Sequence, residues 1–310
     1  MKDFDIVIAG DCNIDLIFND FAKLPQLGEE VIAEQFNFTL GSSAGITAAH
    51  LATLGAKVAF IGAIGNDVLG RQFKSMLEAN GVCTDYMPMR NKAKTGCTVV
   101  MNKNEDRANL TFAGAMATLS LDDIPMDLIE KTPFFHMSNP FVLPHFRNIL
   151  PEFYAKIKSL STTTSLDPQW DTEEKWDTNL AKLLPVVDTF LPNSKELALL
   201  EKGNSLNASQ LAQLNKNTII KTCGSKGIEL IKDNETTLFE GYHNKTPIDC
   251  IGAGDAFTAG YLMAKIENLS DKQAIDLGCK NGALSTTVEG GGVAYSSRKD
   301  FETKFAAHFL

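Results

Sequence analysis

Asp249-Cys-Ile-Gly-Ala-Gly-Asp255-Ala-Phe-Thr-Ala-Gly260 is the stretch of this sequence that says most about its fold. A glycine turn at residues 252–254 runs directly into a segment with helical character, and Asp255 falls in its first turn. Backbone N–H groups at the start of a helix form a positively polarised site that suits an anion. A carboxylate held there can take a proton from a hydroxyl group while the amides hold developing negative charge. This combination suits the transfer of a phosphoryl group to an alcohol.

Outward from that stretch, short apolar runs alternate with segments of helical spacing. Residues 5–10 and 58–64 are typical of buried strands, and residues 44–54 and 67–80 are typical of helices. The alternation predicts an α/β fold with a mostly parallel sheet covered by helices on both faces. Further strands are predicted at 134–137, 164–167, 187–191, 218–222, 227–232 and 236–240, and further helices at 146–159, 173–184, 194–201, from 255 onward and at 271–287.

Two segments interrupt this alternation, at about residues 16–39 and 82–112. Both contain stretches of alternating polar and apolar residues, which favour antiparallel strands. We expect a small β-sheet there that covers an active site as a lid. Ordinary hairpins at the edge of the main sheet are the alternative. The sequence contains no internal repeat or linker, so residues 1–310 are predicted to form a single domain.

The composition excludes several classes of protein. The net charge of −9 argues against nucleic acid or an anionic membrane as the main partner. The six cysteines and five histidines lack the spacing of a zinc site or a disulfide framework. No apolar run approaches the length of a membrane-spanning helix, and the N-terminus lacks the pattern of a signal peptide. We therefore expect a cytoplasmic protein with reduced thiols.

The stretch from Asp249 to Gly260 resembles the C-terminal signature of the ribokinase-like (PfkB) carbohydrate kinases. The resemblance continues along the whole chain in the order of that family. It implies a ribokinase-like three-layer α/β/α core and an ATP-dependent sugar kinase in which Asp255 is the catalytic base. The amides of Gly252, Ala253 and Gly254 would form the anion hole. In isolation, Asp255 would be read as a helix cap.

The N-terminal part of the chain resembles the sugar-binding part of the same family. Asp15, in Gly10-Asp-Cys-Asn-Ile-Asp15, matches the carboxylate that binds sugar hydroxyls, a task for which two acceptor oxygens are suited. Leu40-Gly-Ser-Ser-Ala-Gly45 resembles the N-terminal signature and makes Gly41, Ser42 and Gly45 candidate substrate contacts. Here the chain departs from the family, because Leu40 replaces the usual first Gly and Gly45 replaces an Asn that touches the sugar. The substrate is therefore expected to differ at that position or to be bulkier there.

The resemblance also implies the nucleotide and metal sites. Asn193 and Glu196 match the Asn-x-x-Glu pair that organises Mg²⁺ through water, although such a pair is usually only a helix cap. Asp167, in Asp167-Pro-Gln-Trp-Asp171, is expected to act indirectly through water. A monovalent cation such as K⁺ is a further expectation of the resemblance, beside Asp249, Ile251 and Gly290. ATP would contact Asn193, Thr222, Gly224, Ser225, Gly227 and Cys279.

Substrate identity stays open among three kinds of kinase and one non-catalytic role. A neutral sugar with a primary hydroxyl is the first expectation, and a homodimer through the lid is expected by resemblance. A nucleoside kinase would need an aromatic slot, for which Phe36, Phe38 and Phe112 are candidates. A phosphosugar kinase would need cations such as Arg90, Lys92, Lys94 and Arg107. A non-catalytic sugar-binding regulator is the alternative of another class, favoured by the missing Asn at Gly45.

Overall fold

Eight strands form the main sheet, and its order confirms the mostly parallel α/β prediction. The computed structural model describes residues 4–103, 106–206, 210–211, 214 and 217–310. The sheet order is β14-β13-β12-β11-β10-β9-β1-β4, parallel from β12 to β4 and antiparallel at β13 and β14. These strands are β1 (Ile6–Gly10), β4 (Val58–Ile61), β9 (Phe134–Ser138), β10 (Thr163–Asp167), β11 (Thr189–Phe190), β12 (Thr218–Thr222), β13 (Ile228–Lys232) and β14 (Glu235–Phe239).

Four strands from the interrupting segments form a second sheet, which we call the small sheet. Its order is β3-β2-β7-β8, built from β2 (Asn13–Phe21), β3 (Ala33–Leu40), β7 (Gly96–Lys103) and β8 (Asp106–Phe112). A short pair, β5 (Ile64–Gly65) and β6 (Met89–Arg90), lies outside both sheets. Residues 104 and 105 of the predicted lid lie outside the described residues. The action of the small sheet as a lid stays a prediction.

Strand register gives the small sheet two chemically different faces. Asp15 pairs with Thr39 on one side and with Thr98 on the other, and Thr98 pairs with Thr111. Since side chains alternate along a strand, these four residues share a polar face. Residues an odd number of positions away from them along the same strands occupy the opposite, apolar face: Leu16, Phe18, Phe36, Phe38, Val99, Leu110 and Phe112.

Helices fill the remaining layers, and the helix that contains Asp255 packs against two others. Helix α8 contacts both α1 and α9. Among the described residues, no helix is long and apolar enough to cross a membrane. The helices are α1 (Ser43–Leu54), α2 (Val68–Ala79), α3 (Met126–Glu130), α4 (Pro144–Arg147), α5 (Leu150–Lys158), α6 (Leu180–Leu183), α7 (Ser194–Gly203), α8 (Ala253–Ile266), α9 (Asp271–Ser285) and α10 (Arg298–Phe309).

Two predicted helices are wrong in extent. The helix predicted at 146–159 is split into α4 and α5, because Pro151 has no N–H to bond the carbonyl of Arg147. The helix predicted at 173–184 is reduced to the short α6. In its place the Asp171 carboxylate accepts hydrogen bonds from the backbone N–H groups of Glu173, Lys175 and Trp176. Those bonds satisfy the chain in a loop instead of a helix.

Candidate active site

The anion-hole residues lie at the N-terminus of α8. Gly252 has a φ of 71°, and a Cβ there would lie 2.7 Å from the Cα of Gly291, so the turn requires glycine. Among the described contacts, no side chain caps this helix start. A Cβ on Gly254 would meet no atom within 4 Å. The first amides of α8 therefore border open space, as a bound phosphate would require.

Asp255 lies buried in the first turn of α8. Its Oδ1 accepts a hydrogen bond of 3.0 Å from Nε2 of Gln169, and its backbone carbonyl accepts one from the Thr47 hydroxyl. Burial raises the pKa of Asp255 to about 7, and the nearby negative charge of Asp11 adds to that effect, whereas the Ser43 hydroxyl opposes it. A carboxylate with a pKa near neutrality is suited to general base catalysis.

A cavity of about 410 Å³ adjoins the start of α8. Ala253 and Gly254 line one part of it, and most of the rest comes from the turn between β12 and β13, from the segment 241–250 and from α9. Gly227 has a φ of 96°, and a Cβ there would overlap the carbonyl oxygen of Phe239, so the wall next to β13 requires glycine. The cavity brings together the predicted nucleotide contacts Thr222, Gly224, Ser225, Gly227 and Cys279, and adds Tyr242, Asn244 and Phe257, which the sequence analysis missed.

Asn193 and Glu196 form a reciprocal cap at the start of α7. The Asn193 side-chain oxygen accepts from the backbone N–H groups of Lys195 and Glu196, both at 2.9 Å. In return the Glu196 carboxylate accepts from the backbone N–H of Asn193 at 2.8 Å. This geometry is that of a helix cap, which was the alternative to a role of Asn193 and Glu196 in organising Mg²⁺. It fixes the position of both side chains.

The residues around Glu196 fit a divalent cation. Burial raises the pKa of Glu196 to about 7. The pKa of Asp167, at the end of β10, is raised well above its usual value by burial and by the charges of Glu196 and Asp255. A nearby cation would relieve this repulsion. Within the described ranges no three His, Cys, Asp or Glu side chains could hold a metal directly, so contacts through water, which Mg²⁺ favours, suit this donor set.

Asp15 lies on β2 within the polar face of the small sheet. Its Oδ1 accepts a hydrogen bond of 2.8 Å from the amide of Asn13, which also donates to the Thr98 hydroxyl at 3.0 Å. A Cβ on Gly41 would overlap the Asp15 carboxylate, so the chain leaving β3 requires glycine at that position. These contacts orient the carboxylate of Asp15 beside the turn that leads into α1.

The Ser42 hydroxyl forms hydrogen bonds within the turn before α1. Asp11, which was not among the predicted site residues, is hydrogen-bonded to the same turn. The Ser42 hydroxyl donates to the Asp11 backbone carbonyl at 2.6 Å and accepts from the Gly45 N–H at 2.7 Å. The Asp11 carboxylate accepts from the Ala44 N–H and from the Asn139 amide, each at 3.1 Å. Burial raises the pKa of Asp11. The signal in the sequence was the position of Asp11 at the carboxyl end of a predicted parallel strand.

The departure from the family at Gly45 has a steric explanation. A Cβ on Gly45 would lie 3.2 Å from Cζ of Phe73 and 3.1 Å from the Ser42 hydroxyl oxygen. Phe73, on α2, is fully buried. Any side chain at residue 45 would therefore need the Phe73 ring and the Ser42 hydroxyl to shift by a few tenths of an ångström.

Asp249 links the three residues predicted beside a monovalent cation. One carboxylate oxygen accepts from the Ile251 N–H at 2.9 Å and the other from the Gly290 N–H at 3.0 Å. The structure thus brings these residues together, and the cation itself stays a prediction. Within the described residues the cysteines form no disulfide. His50 is hydrogen-bonded to Asn281 and Tyr295, and burial lowers its pKa to about 4 against the effect of the Asn281 hydrogen bond.

Comparisons with known proteins agree with this geometry. The profile described as "pfkB family carbohydrate kinase" matches residues 3–298. A fructokinase from Vibrio alginolyticus is 27% identical over 268 residues, covering 81% of this chain and 86% of that protein. A candidate ribokinase II from E. coli, solved with ATP and Mg²⁺, superposes with a TM-score of 0.81 at 19% identity, covering 98% of this chain and 100% of that one. A nucleoside kinase from Methanocaldococcus jannaschii gives 0.80 at 16% identity, covering 99% and 100%.

Proposed function

This chain belongs to the pfkB family of carbohydrate kinases, and we propose that it transfers the γ-phosphate of ATP to a primary hydroxyl group of a neutral sugar or sugar derivative. One observation carries the proposal. The cavity that holds five of the six predicted nucleotide contacts, all except Asn193, is also lined by Ala253 and Gly254, and Asp255 follows directly on the same helix. A phosphate chain in that cavity would end beside both the helix amides and a carboxylate base.

The chemistry follows from the start of α8. Asp255 takes the proton of the acceptor hydroxyl as that oxygen attacks the γ-phosphorus in line, and the bond to the leaving diphosphate oxygen breaks. The amides of residues 252–254 stabilise the charge that develops on the phosphoryl oxygens. Bound Mg²⁺ supplies positive charge to the phosphates and would be held through water near Asn193 and Glu196. Because Asp255 acts in its ionised form, activity should rise as the pH increases through about 7.

The acceptor is proposed to bind between the small sheet and α8. Asp15 belongs to the small sheet, whereas Asp255 belongs to a helix that packs on α1. Gly41 and Ser42 lie between β3 and α1, and Gly45 lies in the first turn of α1, where their backbone groups would face the acceptor. Closure of the small sheet over a bound sugar would exclude water, which would otherwise compete as the phosphoryl acceptor.

Two observations favour a neutral acceptor over the other kinases of this fold. Asp11 and Asp15 lie near Asp255, since both charges help to raise its pKa, so the proposed acceptor position has a negative surrounding. A second phosphate would be repelled there. Of the cations considered, Arg90 is paired with Asp123, Lys92 and Lys94 are exposed, and the side chain of Arg107 lies outside the described residues.

An aromatic slot for a nucleoside base does not form as expected. The candidate residues Phe36, Phe38 and Phe112 lie on the apolar face of the small sheet, opposite Asp15. Within a single chain these three rings do not line a slot beside Asp15, because strand alternation places the rings and the Asp15 carboxylate on opposite faces of the sheet. A nucleoside kinase therefore remains the second candidate, favoured by the fold of the Methanocaldococcus jannaschii protein and not by these side chains.

The apolar face of the small sheet supports the proposed homodimer. Phe36, Leu110 and Phe112 are 53%, 69% and 54% exposed in the isolated chain. A groove of about 180 Å³, lined by residues that include Phe18 and Met101, continues the same face. Contiguous exposed apolar surface on a sheet is typical of an interface, and a second copy would cover it in a symmetric dimer.

ATP consumption across a panel of acceptors tests the proposed function. The panel should contain neutral hexoses and pentoses, sugar acids, phosphosugars and nucleosides, and Asp255→Asn is the matched inactive control. We expect turnover of at least one neutral sugar that exceeds turnover of its phosphorylated form. Turnover of nucleosides alone would show that the chain is a nucleoside kinase, the second candidate, and not a sugar kinase. If no acceptor is turned over, the chain is the non-catalytic regulator. A monovalent cation at Asp249, Ile251 and Gly290 and a cytoplasmic location stay predictions.

A further inference from the structure

The loop between β10 and α6, residues 168–179, is irregular but firmly anchored. The buried Asp171 carboxylate receives two hydrogen bonds from the Arg147 guanidinium, at 2.7 and 2.6 Å. It also accepts the backbone N–H groups of residues 173, 175 and 176. Bidentate pairing of this kind fixes geometry as well as adding energy. The loop therefore holds a defined shape next to the end of β10.

Gln169 lies in this loop and bonds to two carboxylates at once. Its backbone N–H donates to Oδ1 of Asp167 at 3.2 Å, and its side-chain Nε2 donates to Oδ1 of Asp255 at 3.0 Å. The residue has a φ of 55°, a left-handed conformation that is unfavourable for a non-glycine residue and persists where the surroundings enforce it. The enforced backbone turns the amide towards α8.

The negative charges around Asp255 explain why an uncharged hydrogen-bond donor is important at its carboxylate. Negative groups face it from several elements: Asp11 after β1, Asp15 on β2, Asp167 at the end of β10 and Glu196 on α7. A donor on Oδ1 favours the ionised form of a carboxylate. It also fixes the rotation of the side chain, so that Oδ2 remains available to an acceptor hydroxyl. An amide does both without adding a charge.

We infer that Gln169 is a positioning residue for the catalytic base, and that it acts by holding Oδ1 of Asp255 while Oδ2 receives the proton of the acceptor hydroxyl. The inference rests on the proposed function. It separates Gln169 from the residues that bind ATP, because the loop contributes no lining to the nucleotide cavity. Loss of the amide should therefore change turnover and its pH dependence, and should leave the affinity for ATP unchanged.

Two substitutions test the inference directly. Gln169→Ala removes the donor, and Gln169→Glu keeps the shape but replaces the donor by a further carboxyl group. With MgATP and the acceptor identified by the panel, kcat of Gln169→Ala should fall about tenfold, the loss of one hydrogen bond to a charged group. The acid limb of the kcat profile should move up by about half a pH unit or more. The shift should be larger for Gln169→Glu, and the KM for ATP should stay within about twofold.

A measurement without turnover separates failure of this inference from failure of the proposed function. The ¹³C carboxyl resonance of Asp255, assigned by comparison with Asp255→Asn, gives its titration midpoint directly. The midpoint should lie near 7 in the natural chain and higher in both Gln169 variants. Glu174→Gln, an exposed position in the same loop, is the control and should change neither the midpoint nor kcat. An unchanged midpoint in Gln169→Ala overturns the inference, as does an effect confined to KM for ATP.

Discussion

Replacement of Asp255 by Asn tests the chemistry and the electrostatics of the site in one protein. Asn has the same shape, and its side-chain oxygen can still accept the hydrogen bond from Gln169. It cannot take a proton from a hydroxyl group at neutral pH. We therefore expect kcat to fall at least ~10²-fold, the usual contribution of a general base. Turnover that remains within about tenfold would refute the proposed mechanism.

The same substitution should stabilise the fold at high pH. Burial raises the pKa of Asp255 from 3.8 to about 7, so the folded state holds its proton more tightly than the unfolded state does. Stability from this group is complete below pH 3.8 and is lost as the pH rises through about 7. A difference of about 3 pKa units corresponds to roughly 4 kcal/mol as an upper bound. Neutral Asn has no such penalty at any pH.

Thermal unfolding without ligands measures this effect. For a chain of 310 residues, roughly 4 kcal/mol corresponds to a rise in Tm of about 6 °C. The Tm difference between Asp255→Asn and the natural chain should be largest near pH 8 and should shrink towards pH 4. Asp127→Asn is the control, because Asp127 is 77% exposed and distant in sequence from the site. The reasoning is refuted if Asp255→Asn is no more stable at pH 8, or equally more stable at every pH.

Four further substitutions test other parts of the structure. Gly254→Ala adds a Cβ in open space within the proposed nucleotide cavity, so the Tm should be unchanged while the KM for ATP rises about tenfold. Gly252→Ala strains a residue in the left-handed conformation and should lower the free energy of unfolding by about 1–3 kcal/mol. A Gly254→Ala protein that is destabilised would contradict the open cavity. Asp171→Asn weakens the buried pair with Arg147 and should cost about 3–5 kcal/mol in urea unfolding, and a cost below about 1 kcal/mol would show that the pair is dispensable. Phe36→Asp should give monomers in sedimentation velocity while the natural chain sediments as a dimer; a dimer in both, or a monomer in both, argues against the apolar face as the interface.

The sequence predicted those parts of the site that are encoded locally. The glycine turn and α8 follow from adjacent residues whose conformational preferences agree with each other. Strands β12 to β14 are separated by short turns and were also predicted correctly. Four of the predicted nucleotide contacts, Thr222, Gly224, Ser225 and Gly227, come from these segments and line one cavity together with Cys279 of α9, whereas Asn193 does not line it. Their direct contact with ATP stays a prediction.

The remaining contacts depend on residues that are far apart in the chain. Gln169 and Asp255 are 86 residues apart, and Asn139 and Asp11 are 128 apart. No periodicity connects such pairs, although Asp11 and Asn139 both follow parallel strands and so meet at one edge of the sheet. Residues 173–179 were predicted as part of a helix because helix propensity does not account for the Asp171 carboxylate, which accepts the backbone N–H groups of this segment in a loop.

The pairing register between the strands of the small sheet was the other feature that could not be predicted from the sequence. The alternation along β2 and β3 could be read from the sequence, but the register that pairs Asp15 with Thr39 could not. That register decides that Phe36 and Phe38 point away from the carboxylate. A shift of one residue would have moved every ring to the other face.

The division of the site between two sheets also bears on how such an enzyme can diverge. Asp255 and the amides of residues 252–254 stand on the main architecture, whereas Asp15 stands on an inserted sheet that shares only short connections with it. Mutations in the inserted strands can therefore alter which molecule is accepted while leaving the reacting groups untouched. In the proposed site, selection could explore new acceptors at little risk to turnover, which is one physical route by which one chain comes to resemble both a fructokinase, at 27% identity, and the fold of a nucleoside kinase, at 16% identity.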